Sequence, residues 1–284
     1  MSKTAIGDKF FSECFRCDKF RHLISFFIIS VLLCPLVQAE SLRFRVLNAQ
    51  NGLPQNSVRA ITQDENGLMW FATEDGIARY DGQNLKTYRY DPDAEYPLKE
   101  NVANRFIPLG QQLWIGTQGE GGVSVLDQAK QAFFPVNDIS DASAEMALGN
   151  VVFALHQKSN DEILIGSENG VFSASTDKLT VTKRLIAKGQ LNNTRSISAI
   201  WEDPQNNLWV ASTDGKLAYQ SPLGELTHVP NKAEGFFRFR RIPALGDLLV
   251  SGSGLMKVDY QQKRLVPLFR DTFLNNIKVR DIAQ

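Results

Sequence analysis

A five-residue phrase recurs along the chain: an apolar residue, Trp or Leu, another apolar residue, a small residue, then Thr or Ser. It reads Met69-Trp70-Phe71-Ala72-Thr73 first, and returns as Leu113-Trp114-Ile115-Gly116-Thr117, Ile163-Leu164-Ile165-Gly166-Ser167 and Leu208-Trp209-Val210-Ala211-Ser212. A degraded copy is Leu248-Leu249-Val250-Ser251-Gly252. Measured at the second position the spacings are 44, 50, 45 and 40 residues. A period of this length accommodates four short strands and their turns, so each copy is expected to be one supersecondary unit stacked on its neighbours.

The surroundings of the phrase supply the other three strands. Glu74-Asp75-Gly76, Glu168-Asn169-Gly170 and Thr213-Asp214-Gly215 follow it, and Asp-Gly and Asn-Gly provide the positive φ that tight antiparallel hairpins need. Gly76, Gly170 and Gly215 are therefore the hairpin positions. An earlier strand is read at Val58 to Gln63, Arg105 to Leu109, Val151 to His156, Ile197 to Glu202 and Arg238 to Ile242, and a fourth follows, as in Leu85 to Tyr88.

These units predict an all-β β-propeller of four-stranded antiparallel blades. The phrase is apolar on both strand faces, as suits sheets packed dry against neighbours on either side. Trp70, Trp114, Leu164, Trp209 and Leu249 are then the structural blade core, and Ala72, Gly116, Gly166, Ala211 and Ser251 lie where adjoining blades crowd. About five blades are expected, with Ile277 to Ile282 matching the start of a sixth, so the ring is read as incomplete at Gln284. Leu42 to Leu47 alternates as an outer strand would, and is expected to lack its native partner.

The amino terminus points to export. Lys3, Lys9, Arg16, Lys19 and Arg21 precede an uncharged stretch from Leu23 to Val37, and Val37-Gln38-Ala39 ends it. That order predicts a signal peptide over 1–39, with the propeller over 40–284. The apolar run is short for a spanning helix, which needs about 20 residues. Cys14, Cys17 and Cys34 all lie before the predicted cut, so no disulfide framework is expected in the exported domain.

Composition removes several function classes. Lys+Arg 31 against Asp+Glu 31 leaves a formal charge of zero, and gives no general attraction to nucleic acid. Phe236 to Arg241 mixes aromatic and basic residues, and reads as a first strand. His156 and His228 have no second ligand at metal spacing, and Asp91-Pro92-Asp93 lacks the downstream groups of a calcium loop. The glycines of Gly116 to Gly122 follow a strand and precede another, with no helix terminus to hold phosphate. No catalytic residue, metal site or cofactor is expected.

One pattern carries chemistry. The residue two before the apolar anchor of the first strand is Arg59, Arg105, Arg240 and Arg280 in four of six copies, and Phe153 and Ser198 in the others. On equivalent inner strands these guanidiniums would form part of a ring near the axis, attractive to carboxylate, sulfate or phosphate. The alternative is that each stem fills the gap between blades and pairs with an acid from a nearby turn, such as Asp75 or Glu168.

The run Asn51-Gly52-Leu53-Pro54-Gln55-Asn56-Ser57-Val58, with Gln63 to Thr73 and Asp75 to Gly82, resembles the two-component regulator propeller family. Leu113 to Thr117 and Leu208 to Gly215 extend the resemblance, while the third and fifth repeats lack the tryptophan. The resemblance implies a periplasmic ligand-sensing module of a bacterial transmembrane receptor. It further implies downstream parts: a β-domain, a membrane helix and an output domain that is a histidine kinase in many members and a diguanylate cyclase in others. A dimeric receptor and a solute ligand, carbohydrate or anionic, go with it, and this stretch itself is expected to be no enzyme. The competing readings are a secreted protein-binding scaffold and, with less support from two scattered histidines, a propeller lyase or hydrolase.

Overall fold

The computed structural model describes residues 45–137, 147–159, 161–192, 194–231, 235, 237–251 and 254–268. The predicted signal peptide, the three cysteines, Arg280 and the predicted sixth-blade strand lie outside the described residues, as do 42–44 and Gly252.

The described chain from Leu47 onward forms five four-stranded antiparallel sheets, the blades of a β-propeller. Blade one is β1 (Val58–Gln63), β2 (Met69–Thr73), β3 (Gly76–Tyr80) and β4 (Leu85–Tyr88); blade two is β5 (Ala103–Leu109), β6 (Gln112–Thr117), β7 (Val123–Asp127) and β8 (Ala132–Pro135). Blade three is β9 (Val152–Gln157), β10 (Glu162–Ser167), β11 (Gly170–Ser175) and β12 (Thr180–Ala187). Blade four is β13 (Ile197–Glu202), β14 (Leu208–Ser212), β15 (Leu217–Gln220) and β16 (Leu226–His228); blade five is β17 (Arg238–Ile242), β18 (Gly246–Ser251), β19 (Gly254–Asp259) and β20 (Arg264–Pro267). Strand order within each sheet follows the sequence, and β1, β5, β9, β13 and β17 succeed one another as the inner strands around the axis. The strand boundaries read from the repeat match these within two residues.

The wedge residues explain why the sheets stack. Trp70, Trp114, Leu164, Trp209 and Leu249 are fully buried. Trp70 packs with Ala103, Leu113 and Ile115 of blade two, and Trp114 with Val152, Ile163 and Ile165 of blade three. Leu164 meets Ile197, Ile200 and Val210 of blade four, and Trp209 meets Phe237, Leu249 and Val258 of blade five. The first four phrases therefore each send their large side chain into the next blade. Burying such a side chain contributes on the order of 1.5–3 kcal/mol.

The small fourth residue has an equally local cause. A Cβ on Gly116 would lie 2.8 Å from Val152 Cγ1, and one on Gly166 would lie 2.6 Å from Ile197 Cγ2. Both neighbours stand on the inner strand of the following blade, so this position sets how closely blades approach. The fourth tryptophan, Trp201 on β13, adds to the seam between blades four and five. Its ring stacks on Trp209 at 5.7 Å and on Phe239 at 4.8 Å.

The amino-terminal strand differs from expectation. Residues 45–48 belong to no strand, because Asn48 turns the chain: its side chain accepts from Gln50 N at 3.0 Å and Asn51 N at 3.2 Å, while Asn51 Oδ1 accepts from Asn48 N. Leu47 packs against Leu53, Phe71 and Ala78, closing the first face of blade one.

Candidate functional site

The axial ends of the inner strands gather the polar groups. In blades one to four the inner strand carries a register shift at one shared level, between Val58 and Ala60, Ala103 and Arg105, Val152 and Ala154, and Ile197 and Ala199. The residue displaced by each bulge is Arg59, Asn104, Phe153 or Ser198. Bulges of this kind re-aim a side chain out of the ladder.

The same register separates the arginines grouped by sequence. Arg59 is a bulge residue, Arg105 pairs with Gly116, and Arg240 pairs with Leu248. The three stand at different levels of their strands, because the anchors from which they are counted are not equivalent: Ile61 pairs with Phe71, Ile107 with Trp114 and Ile242 with Gly246.

Each head has its own surroundings. Arg59 Nη1 donates to Asn104 Oδ1 at 2.8 Å and Gln118 Oε1 at 3.2 Å, and Nη2 donates to Glu74 Oε1 at 2.8 Å. Asn104 Nδ2 continues the line to Val152 O at 3.1 Å, so one polar chain links blades one, two and three. Arg105 Nε donates to Phe153 O at 3.0 Å, and Arg240 Nη1 donates to Phe239 O at 2.8 Å. In blade four the bulge residue Ser198 accepts from Phe237 N at 3.3 Å, tying it to blade five.

The turns after β2, β6, β10 and β14 share this face. Gly76, Gly170 and Gly215 have φ of 109°, 130° and 85°. Gly170 also has no room for a side chain, since a Cβ would sit 2.1 Å from Ile186 O. The longer glycine-rich turn between β6 and β7 braces blade three, where Gly119 N donates to Asn150 O at 3.1 Å. Thr194 Oγ1 and Lys216 hold Asp214. Burial raises the Asp214 pKa, but those donors outweigh it and leave the carboxyl well below the usual carboxylate range.

A second polar network occupies the opposite ends of blades three to five. Asp203, whose side chain is fully buried, accepts from Trp209 Nε1 at 2.9 Å, Asn207 Nδ2 at 2.7 Å and Lys263 Nζ at 3.1 Å. Burial pushes its pKa up, and these bonds overcome that and bring it below the ordinary value. Asp64 repeats the device in blade one, accepting from Trp70 Nε1 at 2.8 Å. Both acids lie six residues before the tryptophan, a spacing that sequence reasoning passed over.

Close by, Arg241 clasps Asp247 at 2.7 and 2.8 Å, Tyr260 Oη donates to Asp247 Oδ2 at 2.5 Å, and Trp201 Nε1 donates to Tyr260 Oη at 3.0 Å. Burial and the adjacent Asp247 raise the Tyr260 pKa, so its phenol stays protonated. His156 Nε2 lies 3.9 Å from Glu202 Oε2, and burial, followed by the Arg241 charge, lowers its pKa. Among the described residues there is no group of three or more His, Cys, Asp and Glu placed to hold a metal, and no helix is long and apolar enough to cross a membrane.

Comparison with known proteins matches this architecture. The fold is that of a β-propeller, and two extracellular domains of hybrid two-component systems from B. thetaiotaomicron share it. One superposes with a TM-score of 0.68 at 18% identity, over 78% of this chain and 31% of that one; the other gives 0.59 at 19% identity, over 77% and 31%. Residues 52–75, which span β1 and β2 and end in the turn after β2, match the two-component regulator propeller model. Histidine kinase P4 of Formosa agariphila is 37% identical over 71 residues, 25% of this chain and 5% of that protein. The chain thus spans about a third of the similar solved domains and a twentieth of the curated relative.

Proposed function

We propose that this chain is the extracytoplasmic ligand-sensing propeller of a bacterial transmembrane signalling receptor. The observation that carries the reading is the match of residues 52–75 to the two-component regulator propeller repeat, placed in a first blade whose wedge and turn recur in the blades after it. In this role residues 1–39 direct export to the periplasm, and the full-length receptor is anchored in the inner membrane. Its output module is a histidine kinase, as in the relative from Formosa agariphila, or a diguanylate cyclase. The propeller binds a solute, carbohydrate or anionic, and must bind it better in one receptor arrangement than in another, since equal affinity shifts no equilibrium. Of the arginines grouped by sequence, Arg59 is the proposed ligand-facing cation, turned out of its ladder by its bulge, whereas Arg105 and Arg240 stand at other levels of their strands. Receptor dimerisation and a downstream β-domain complete the proposal.

Two measurements test it. Alkaline phosphatase fused after Gln284 is expected to be active in a bacterial host and inactive once residues 1–39 are removed; an inactive fusion, or one indifferent to that removal, contradicts export. A thermal-shift screen of neutral oligosaccharides and small anions is expected to find a stabilising solute, and a screen in which every solute leaves Tm unchanged contradicts sensing.

A further inference from the structure

We propose that Arg59, braced by Asn104 and Gln118, recognises the carboxylate of a small organic acid, and that Glu74 occupies this position until such a ligand displaces it. The proposal rests on the sensing role above and gives it a ligand chemistry.

The orientation of the guanidinium is set by neutral groups. Its Nη1 is held by the amide oxygens of Asn104 and Gln118, both from blade two. Asn104 is only 5% exposed and is itself anchored on Val152 O of blade three. The Asn104 side of the brace is buried and reaches across three blades, while Gln118 is exposed; the anion on Nη2 is not built in. The Arg59 and Glu74 side chains are 31% and 43% exposed. A half-exposed ion pair contributes little to stability, so one carboxylate can exchange for another at small cost. Nothing in the brace need move when it does.

Glu74 differs from the other acids of this face in what it holds. Asp75 pairs with Arg89 at 3.1 Å, and Glu100 Oε1 accepts from Val102 N at 3.1 Å. Glu168 accepts from Asn150 N and Val151 N at 2.8 and 2.6 Å, and Asp214 is held by Thr194 and Lys216. Those contacts fix turns and loop entries. Glu74 instead sits on a guanidinium that a bulge has turned out of its ladder, and the carboxylate there shows which chemistry the planar fork accepts.

The test is isothermal titration calorimetry of the whole chain with sodium succinate, with sodium sulfate and glucose as controls. Succinate is expected to bind, Glu74→Gln to tighten it by about threefold or more through loss of the internal competitor, and Arg59→Gln to weaken it by about tenfold or more. Sulfate is expected to bind more weakly than succinate and glucose to ignore both substitutions. Should Arg59→Gln fail to fold, Glu74→Gln alone decides. Succinate that does not bind to the wild-type chain or to Glu74→Gln, an affinity indifferent to Glu74→Gln, or a preference for sulfate overturns the proposal. A stabilising neutral sugar in the thermal screen with no response to succinate would leave the sensing role standing and remove this ligand chemistry.

Discussion

Replacing Asp203 by Ala removes the acceptor on which the blade-four wedge is hung. Three consequences can be sized. Trp209 is fully buried, so its indole N–H loses its partner with no route to water; an orphaned buried donor costs roughly 1–3 kcal/mol. Asn207, also buried, loses the carboxylate contacts at its backbone N–H and its side-chain amide, 2.8 and 2.7 Å long. Lys263 loses its ion pair, but its side chain is 30% exposed and can turn to solvent, so its share is heavily discounted. The total is about 3–4 kcal/mol. For a domain of this size that is a fall in Tm on the order of 6–16 °C. Asp203→Asn keeps an acceptor for the indole and loses the charge, and is expected to cost about half as much. Urea unfolding followed by tryptophan fluorescence reads both. The folded-state pKa of Asp203 lies below its unfolded value, so its contribution is present above about pH 4 and lost as pH falls through the folded pKa. The gap between wild type and Asp203→Ala should therefore narrow in acid. Equal stability of wild type and Asp203→Ala, or a gap that widens as pH falls, would refute the reasoning.

Other outcomes follow from the same contacts. His156 has a folded pKa below its ordinary value, so the unfolded chain takes up a proton first as pH falls through about 6.5 and stability declines there; His156→Gln is expected to flatten that slope in pH-dependent thermal melts. Trp201→Ala removes a ring stacked on Trp209 and Phe239 and orphans no acid, and should cost about 3–5 kcal/mol in chemical denaturation. Gly170→Ala places a Cβ 2.1 Å from Ile186 O at a φ of 130°, and is expected to destabilise the chain by more than 1 kcal/mol in the same assay.

The parts of the molecule legible in sequence are those whose cause is periodic. Strands β1, β4, β13 and β17 begin and end where alternation and turn residues place them, because the same apolar phrase buries a wedge against the next blade in each of the first four repeats. Gly116 and Gly166 read correctly as crowding positions, since no larger residue fits against Val152 and Ile197. The arginine alignment was not legible. The apolar anchors Ile61, Ile107 and Ile242 look alike in composition but pair with Phe71, Trp114 and Gly246, so Arg59, Arg105 and Arg240 fall on different levels. Asn104 and Gln118 gave no signal either, because their importance comes from facing Arg59 across a blade boundary 45 and 59 residues away. Asp64 and Asp203 could have been found, since each precedes its tryptophan by six residues.

The account depends on consecutive blades meeting through a small residue that admits the neighbour's inner strand, and a double-mutant cycle on Gly116 and Val152 tests this most directly. Gly116→Ala should cost about 1–3 kcal/mol by overpacking, and Val152→Ala a similar amount through the cavity it leaves. Combined, the alanine at 116 fills space vacated at 152, so the double variant is expected to be more stable than the sum of the singles by about 1 kcal/mol. Additivity within about 0.5 kcal/mol would show that these residues do not touch, and would contradict the packing of blade two on blade three.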